Sequence, residues 1–291
     1  MRIVSSDEAT ETPIYLCNRD RLTTTKGMVD WLISTGSKKV VIVDNASTYP
    51  PLLSYYKELP SGVSVHSMGR NAGPYDSRDW AALQQDTPFV FSDSDLNLIT
   101  CPKDLVAKCL SFLYEFPNCG RVGPNLRLDN IPKENANAIL MGNKTLLEWE
   151  GDSWKNLVTH EGVSFYNAPI DTTFAIYPAH YTRKLLHNVT VCGVSFPHDC
   201  AWTNIRLDFP YVAEHAPWYS LKPYSEEESY YREHVGSGDY GGGVGVQPWS
   251  HLDGVKGVDR DGRGPTIKRS FGPYRYDKSG CKTDWWDRHA R

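Results

Sequence analysis

Apolar positions in the first hundred residues fall into short runs, separated by stretches with helical spacing. The runs are Ile14 to Cys17, Val40 to Val43, Val63 to Val65 and Phe89 to Phe91. Between them, Thr24 to Thr35 carries Met28, Trp31 and Leu32 at helical spacing, Pro50-Pro51 opens a helix over Leu52 to Leu59, and Pro74 to Gln85 forms a third. Four strands joined by three helical crossovers are repeated β-α units around a parallel sheet. Each run ends in small or polar residues: Asn18-Arg19-Asp20, Asp44-Asn45-Ala46-Ser47, Gly69-Arg70-Asn71-Ala72-Gly73 and Asp93-Ser94-Asp95. Ligands of open α/β sheets bind beyond the carboxyl ends of the strands, so these four segments are expected to line one crevice.

From Cys101 to Tyr219 the pattern is less regular. A helix is expected near Pro102 to Glu115, then a loop-rich stretch with Gly, Pro and Asn, then apolar segments around Thr173 to Tyr177 and Val189 to Val194. This part reads as the second half of the same domain, closed by a short acidic helix over Glu226 to Glu233. Residues 236–291 then hold 12 of the 23 glycines and 10 Lys/Arg against 7 Asp/Glu. Trp249, Trp285 and Trp286 in this irregular tail argue that it docks on something. Gly241-Gly242-Gly243-Val244-Gly245 lacks the Gly-Lys-Ser/Thr ending and the strand-helix context of a phosphate loop, and reads as a hinge or lid. The expected division is a catalytic domain over 1–234 and an appendage over 235–291.

Composition narrows the class. A chain of 291 residues, 40% hydrophobic and 23% charged, can bury one substantial core. The net charge of −4 comes without a basic block, which argues against nucleic acid or a polybasic membrane patch as partner. Neither an apolar leader nor a run near the roughly 18 residues of a bilayer span is present, so a soluble, cytoplasmic protein with no membrane span is expected. The seven cysteines, Cys17, Cys101, Cys109, Cys119, Cys192, Cys200 and Cys281, include no C-x-x-C pair and read as reduced.

Asp93-Ser94-Asp95 follows the apolar run Phe89-Val90-Phe91-Ser92 directly. Two hard oxygen ligands this close suit Mg²⁺ or Mn²⁺, with positions left open for a diphosphate. A divalent ion there would neutralise charge on a departing nucleoside diphosphate. The same triplet can also be a solvated turn, and its placement at the end of a buried strand favours the ligand reading. Asp44 could accept hydrogen bonds from a base or ribose, or close its strand as an Asx turn. Gly73 permits close backbone approach, and Arg78 could pair with diphosphate oxygens or lie on the surface.

Pro13-Ile14-Tyr15-Leu16-Cys17-Asn18-Arg19, Val40-Val41-Ile42-Val43-Asp44-Asn45-Ala46-Ser47, Asn71-Ala72-Gly73 and the Asp-Ser-Asp triplet together resemble the GT-A-fold glycosyltransferases, in particular the inverting family 2-like enzymes, over roughly residues 12–232. The resemblance implies a Rossmann-like, mixed and mainly parallel sheet flanked by helices, with a nucleotide-sugar half (12–100) and an acceptor half (101–234). It implies a nucleotide-sugar donor, UDP-linked by analogy, held by Asn18, Arg19, Asp44, Asn71, Gly73, Arg78, Asp93 and Ser94. Asp95 and Asp93 would carry the metal. A carbohydrate or glycan hydroxyl would be the acceptor, attacking as a base takes its proton. In this fold the base is usually an Asp or Glu of the second half, which makes Asp171 the candidate, Asp199 its alternative and Asp152 a third. His215-Ala216-Pro217-Trp218-Tyr219 resembles a stretch that follows the base in relatives. His215 could complete the metal shell or touch the diphosphate, while Trp218 and Tyr219 could stack on sugar or serve packing. The rival readings are a nucleotidyltransferase acting on sugar phosphates and a non-catalytic carbohydrate-binding protein on a degenerate transferase fold.

Overall fold

The alternating pattern of the first half folds as a parallel sheet whose inner strands are buried on both faces and whose edge strand, Val63–Ser67, alternates apolar and polar residues. The computed structural model describes residues 1–116, 119–138, 144–155, 157–160, 162–179, 189–191, 194–196 and 203–235. After a short helix α1 (Ser6–Glu11) come β1 (Ile14–Asn18), α2 (Thr23–Ser34), β2 (Val40–Asp44), α3 (Pro50–Tyr55), β3 (Val63–Ser67), α4 (Gly73–Leu83) and β4 (Phe89–Asp93). The sheet order β3-β2-β1-β4 is parallel throughout.

Successive strand residues point to opposite faces, and β1 shows what covers each. Ile14 and Leu16 pack with Met28 and Leu32 of α2 and with Leu105, Cys109 and Phe112 of α5 (Leu105–Glu115). Tyr15 packs on the other side with Phe89, Phe91 and Ala81 and Ala82 of α4. Helices therefore flank both faces, as a parallel sheet requires.

The second half extends the sheet. It contributes β5 (Leu96–Asn97), β6 (Cys119–Leu126), α6 (Lys133–Ala136), α7 (Leu146–Gly151), β7 (Leu157–His160), β8 (Val163–Asn167), β9 (Ala175–Tyr177) and β12 (Thr203–His215). The small hairpin of β10 (Val189–Val191) and β11 (Val194–Phe196) stands apart from it. The path continues from β4 through β9, β6, β12, β8 and β7, with β5 paired to the far end of β12. Of the nine strands on the path only β8 and β9 run against the rest, so the sheet is mixed and mostly parallel. The last described element, α8 (Glu226–Val235), follows a 3-10 turn at Ala216–Tyr219.

The loop-rich reading after α5 is corrected here, because residues 119–126 form β6 with all eight positions buried. Its Gly120, Gly123, Pro124 and Asn125 are poor strand formers, and tertiary packing overrides them. Gly123 has a specific reason: a β-carbon there would overlap the carbonyl oxygen of Phe174 just before β9. The Gly- and Trp-rich tail, the Gly241–Gly245 run included, lies outside the described residues.

Candidate functional site

The carboxyl ends of β1, β2 and β4, the lead into β9 and the end of β12 meet at one edge of the sheet. Asp93 is the last residue of β4, and because β9 runs antiparallel to β4, the segment before β9 arrives beside it. Asp93 N–H donates to the Thr172 carbonyl at 2.8 Å, and the Thr172 hydroxyl donates to Asp93 Oδ2. Ser94 N–H donates to the Cys17 carbonyl at 3.0 Å, and the Ser94 hydroxyl to Asn18 Oδ1 at 2.8 Å. The triplet is thus tied to β1 on one side and to the Asp171–Thr172 segment on the other.

His215 is brought in by backbone pairing. Leu96 lies opposite His215 where β5 meets β12, and Ala216 N–H donates to the Asp95 carbonyl at 2.9 Å. His215 Nε2 stands 3.6 Å from Asp95 Oδ1, an oxygen that is buried and accepts no hydrogen bond. Burial, and after it the charge of Asp95, push the Asp93 carboxyl well above the usual carboxylate range; the Thr172 hydroxyl opposes this, and Asp171 adds to it. Two carboxylates are held together with little compensation, which is the donor set a divalent cation would relieve.

The nucleoside end of the expected site is a hydrogen-bonded rim. Asp44 accepts from the Tyr56 hydroxyl on Oδ1 at 3.0 Å and from Ser47 N–H on Oδ2 at 3.1 Å. Asn18 Nδ2 donates to the same Tyr56 hydroxyl at 2.9 Å. Burial, with Asp44 beside it, keeps that phenol protonated far past its ordinary range. Arg19 Nη1 reaches the Asn45 carbonyl at 3.4 Å. Asn71 is buried, Gly73 begins α4 with φ +73°, and Arg78 on α4 is buried with Nη2 2.9 Å from Asp79 Oδ1.

At the acceptor end, Asp171 is exposed and accepts a 2.8 Å hydrogen bond from the Tyr75 hydroxyl. Asp152 is held instead by Lys144 and Lys155, whose hydrogen bonds lower its pKa. Asp199 lies outside the described residues. Trp218 is buried against His215, with ring centroids 4.7 Å apart, and the Tyr219 hydroxyl donates to the Arg127 and Asp129 carbonyls at 3.3 Å each.

No protein-family model and no curated protein matches this chain. Among the described residues no helix is long and apolar enough to cross a membrane.

Other residues tie this edge together. Asn45 joins four segments: its amide reaches Ser77 of α4 at 3.1 Å and Cys17 Sγ at 3.3 Å, and it accepts from Ala72 N–H at 2.9 Å. Asp20, fully buried at φ +53°, accepts from Thr48 N–H and Tyr49 N–H at 2.5 and 2.8 Å. Beside it, Arg21 forms a buried ion pair with Glu228 of α8 and lies 3.5 Å from the Tyr231 ring centroid. Glu227 accepts from Thr23 N–H at the start of α2, and Tyr230 packs on Tyr49 at 4.9 Å. A carboxylate two residues past a strand is a readable signal, whereas a tyrosine on a neighbouring helix is not. A cleft of about 830 Å³ opens at the opposite end of the strands, among Glu11, Lys38, Lys39 and Tyr114. Its two lysines are already paired with Glu11, at 2.9 and 3.0 Å.

Proposed function

We propose that this chain is a metal-assisted glycosyltransferase of the GT-A type, moving a sugar from a nucleoside diphosphate donor to an acceptor hydroxyl. The observation that carries this reading is the Asp93/Asp95 pair at the end of a buried strand, with Asp95 Oδ1 buried and accepting no hydrogen bond. Ordinary turn carboxylates are solvated or capped, whereas this one keeps a buried oxygen whose nearest charged partner is His215 Nε2 at 3.6 Å. Asp95 and Asp93 would hold Mg²⁺ or Mn²⁺, with His215 beside them and the donor's phosphates and water supplying the remaining ligands. Bound there, the ion would supply electrostatic stabilisation of the departing diphosphate.

The chain's own residues account for the rest. Asn18, Tyr56 and Asp44 form a linked polar rim at the ends of β1 and β2, with hydrogen-bonding capacity for a base or ribose. Asp171, exposed and linked to Asp93 through the next residue, would take the proton of the attacking hydroxyl. Inversion, UDP as carrier and a glycan as acceptor rest on the family resemblance alone.

A screen of nucleotide-sugars with and without EDTA tests the reaction class. Release of nucleoside diphosphate from one donor, abolished by chelation, supports the transferase. Pyrophosphate release would mark a nucleotidyltransferase, and no turnover with any donor a binding protein. Asp95→Asn is expected to abolish metal-dependent donor binding in calorimetry, and retained binding would remove the metal assignment.

A further inference from the structure

Asp171 sits on a segment whose backbone is fixed from both sides. Arg121 of β6 donates from Nη1 to the Asp171 carbonyl at 3.0 Å, and the next residue is bound to Asp93 through both its carbonyl and its hydroxyl. What this leaves free to rotate is the Asp171 side chain, which is exposed. A carboxylate that must meet an incoming hydroxyl in one orientation loses rate when it samples several.

A single described side chain restrains it. The Tyr75 hydroxyl donates to Asp171 Oδ1 at 2.8 Å, from the first turn of α4 on the opposite side of the crevice. Tyr75 is itself fixed at its root, since Gly73 with φ +73° and Pro74 set the start of the helix, and the Arg78 guanidinium stands 5.4 Å from its ring centroid. About half of the Tyr75 surface remains exposed (51%), and Asp171 is exposed as well, so the pair is open to solvent. Burial of the hydroxyl, followed by the charges of Asp171 and Asp93, raises the Tyr75 pKa, with Arg78 opposing; the phenol remains a donor at any working pH.

We infer that Tyr75 is the positioning residue of the acceptor side, engaging one oxygen of Asp171 so that the other is presented to the acceptor hydroxyl. This rests on the transferase reading, with Asp171 as base. The hydrogen bond turns a mobile surface carboxylate into an oriented one without occupying both of its oxygens.

The test is a double-mutant cycle on the full chain, with the nucleotide-sugar and acceptor found by the screen. Tyr75→Phe keeps the ring and removes the donor. It is expected to lower kcat for transfer about ten-fold, the lower end of what a hydrogen bond to a charged group supplies. Donor Kd and melting temperature should stay at their wild-type values. In the Asp171→Asn background the same change should alter the residual rate less than two-fold, because the group it orients is gone. Two results overturn the inference while leaving the transferase intact: kcat of Tyr75→Phe within two-fold of wild type, or an equal loss in both backgrounds, which marks a structural role. If wild-type protein transfers no sugar from any donor, the transferase reading falls and takes this role with it.

Discussion

The ion pair between Arg21 and Glu228 joins the loop after β1 to a helix more than two hundred residues away, and its loss can be worked through quantitatively. The two side chains are 9% and 5% exposed, and the same carboxylate accepts from Arg232 Nε at 2.6 Å. Glu228→Ala leaves the Arg21 guanidinium buried with the Tyr231 ring as its main compensation. Removing one partner of a buried pair typically costs about 3–5 kcal/mol, and the remaining ring face argues for about 3. The other contacts of α8 described here, Glu227 on Thr23 and Tyr230 on Thr48 and Tyr49, are on the same two loops. The loss should therefore appear as undocking of the helix before global unfolding. About 3 kcal/mol is roughly a hundred-fold in the opening equilibrium. Hydrogen exchange read by mass spectrometry over 226–235, 20–25 and 47–49 should show protection falling by about that factor while β1 and β4 keep theirs. Replacing both partners, Arg21→Met with Glu228→Leu, should restore most of it, because the unpaired charge is gone. Protection within three-fold of wild type in Glu228→Ala, or a double variant as loose as the single one, would refute the reasoning.

Two further outcomes follow from the same physics. Gly123→Ala forces a β-carbon onto the Phe174 carbonyl, a backbone atom that cannot swing aside, so urea denaturation should show a loss of about 3 kcal/mol; a change under about 1 would mean that β9 can shift. The raised pKa of Asp93, caused first by burial and then by Asp95, means that the folded chain holds this proton more tightly than the unfolded one. Its contribution favours folding below the ordinary carboxylate pKa and is lost as pH rises through the elevated value. With EDTA present, Asp93→Asn should therefore melt above wild type at about pH 7.5, with the gap narrowing toward about pH 4. A variant that melts below wild type at the higher pH would contradict the assignment.

The first half of the fold was legible because its strands are short apolar or alternating runs and its helices carry a distinct period. The runs at Ile14, Val40, Val63 and Phe89 became β1 to β4, each extended to the polar residue that ends it. The second half hid its strands for separable reasons. β6 contains two glycines and a proline, of which Gly123 is required by the close approach of the Phe174 carbonyl. β12 changes register between Leu207 and Val212, so Ile205 and Leu207 fall out of phase with Val212 and any alternation is broken. The carboxylates of the crevice were readable from their place after strands. Tyr56, Tyr75 and Thr172 were not, since each meets the crevice from another element and only folding brings it there; Asn45 stood in a strand-end segment, but its bonds to Ser77 and Ala72 were hidden in the same way.

The position of β9 between β4 and β6 bears on how the chain is made. β6 leaves the ribosome well before β9 and β12, its two neighbours, and joins β4 only through β9, so a nascent chain ending near residue 150 carries β3-β2-β1-β4 with β6 not yet attached to it. The facing edges of β4 and β6 stay unpaired until residues 175–177 arrive, and the other edge of β6 until β12 follows. β12 adds His215 beside Asp95 later still, while the insertion of β9 is what delivers Thr172 to Asp93. A chain stalled before that point would carry Asp93 and Asp95 with no Thr172 partner, along with open edges on β4 and β6 available to any other strand. Synthesis order thus makes β12, the last strand to join the sheet, also the one that completes the crevice.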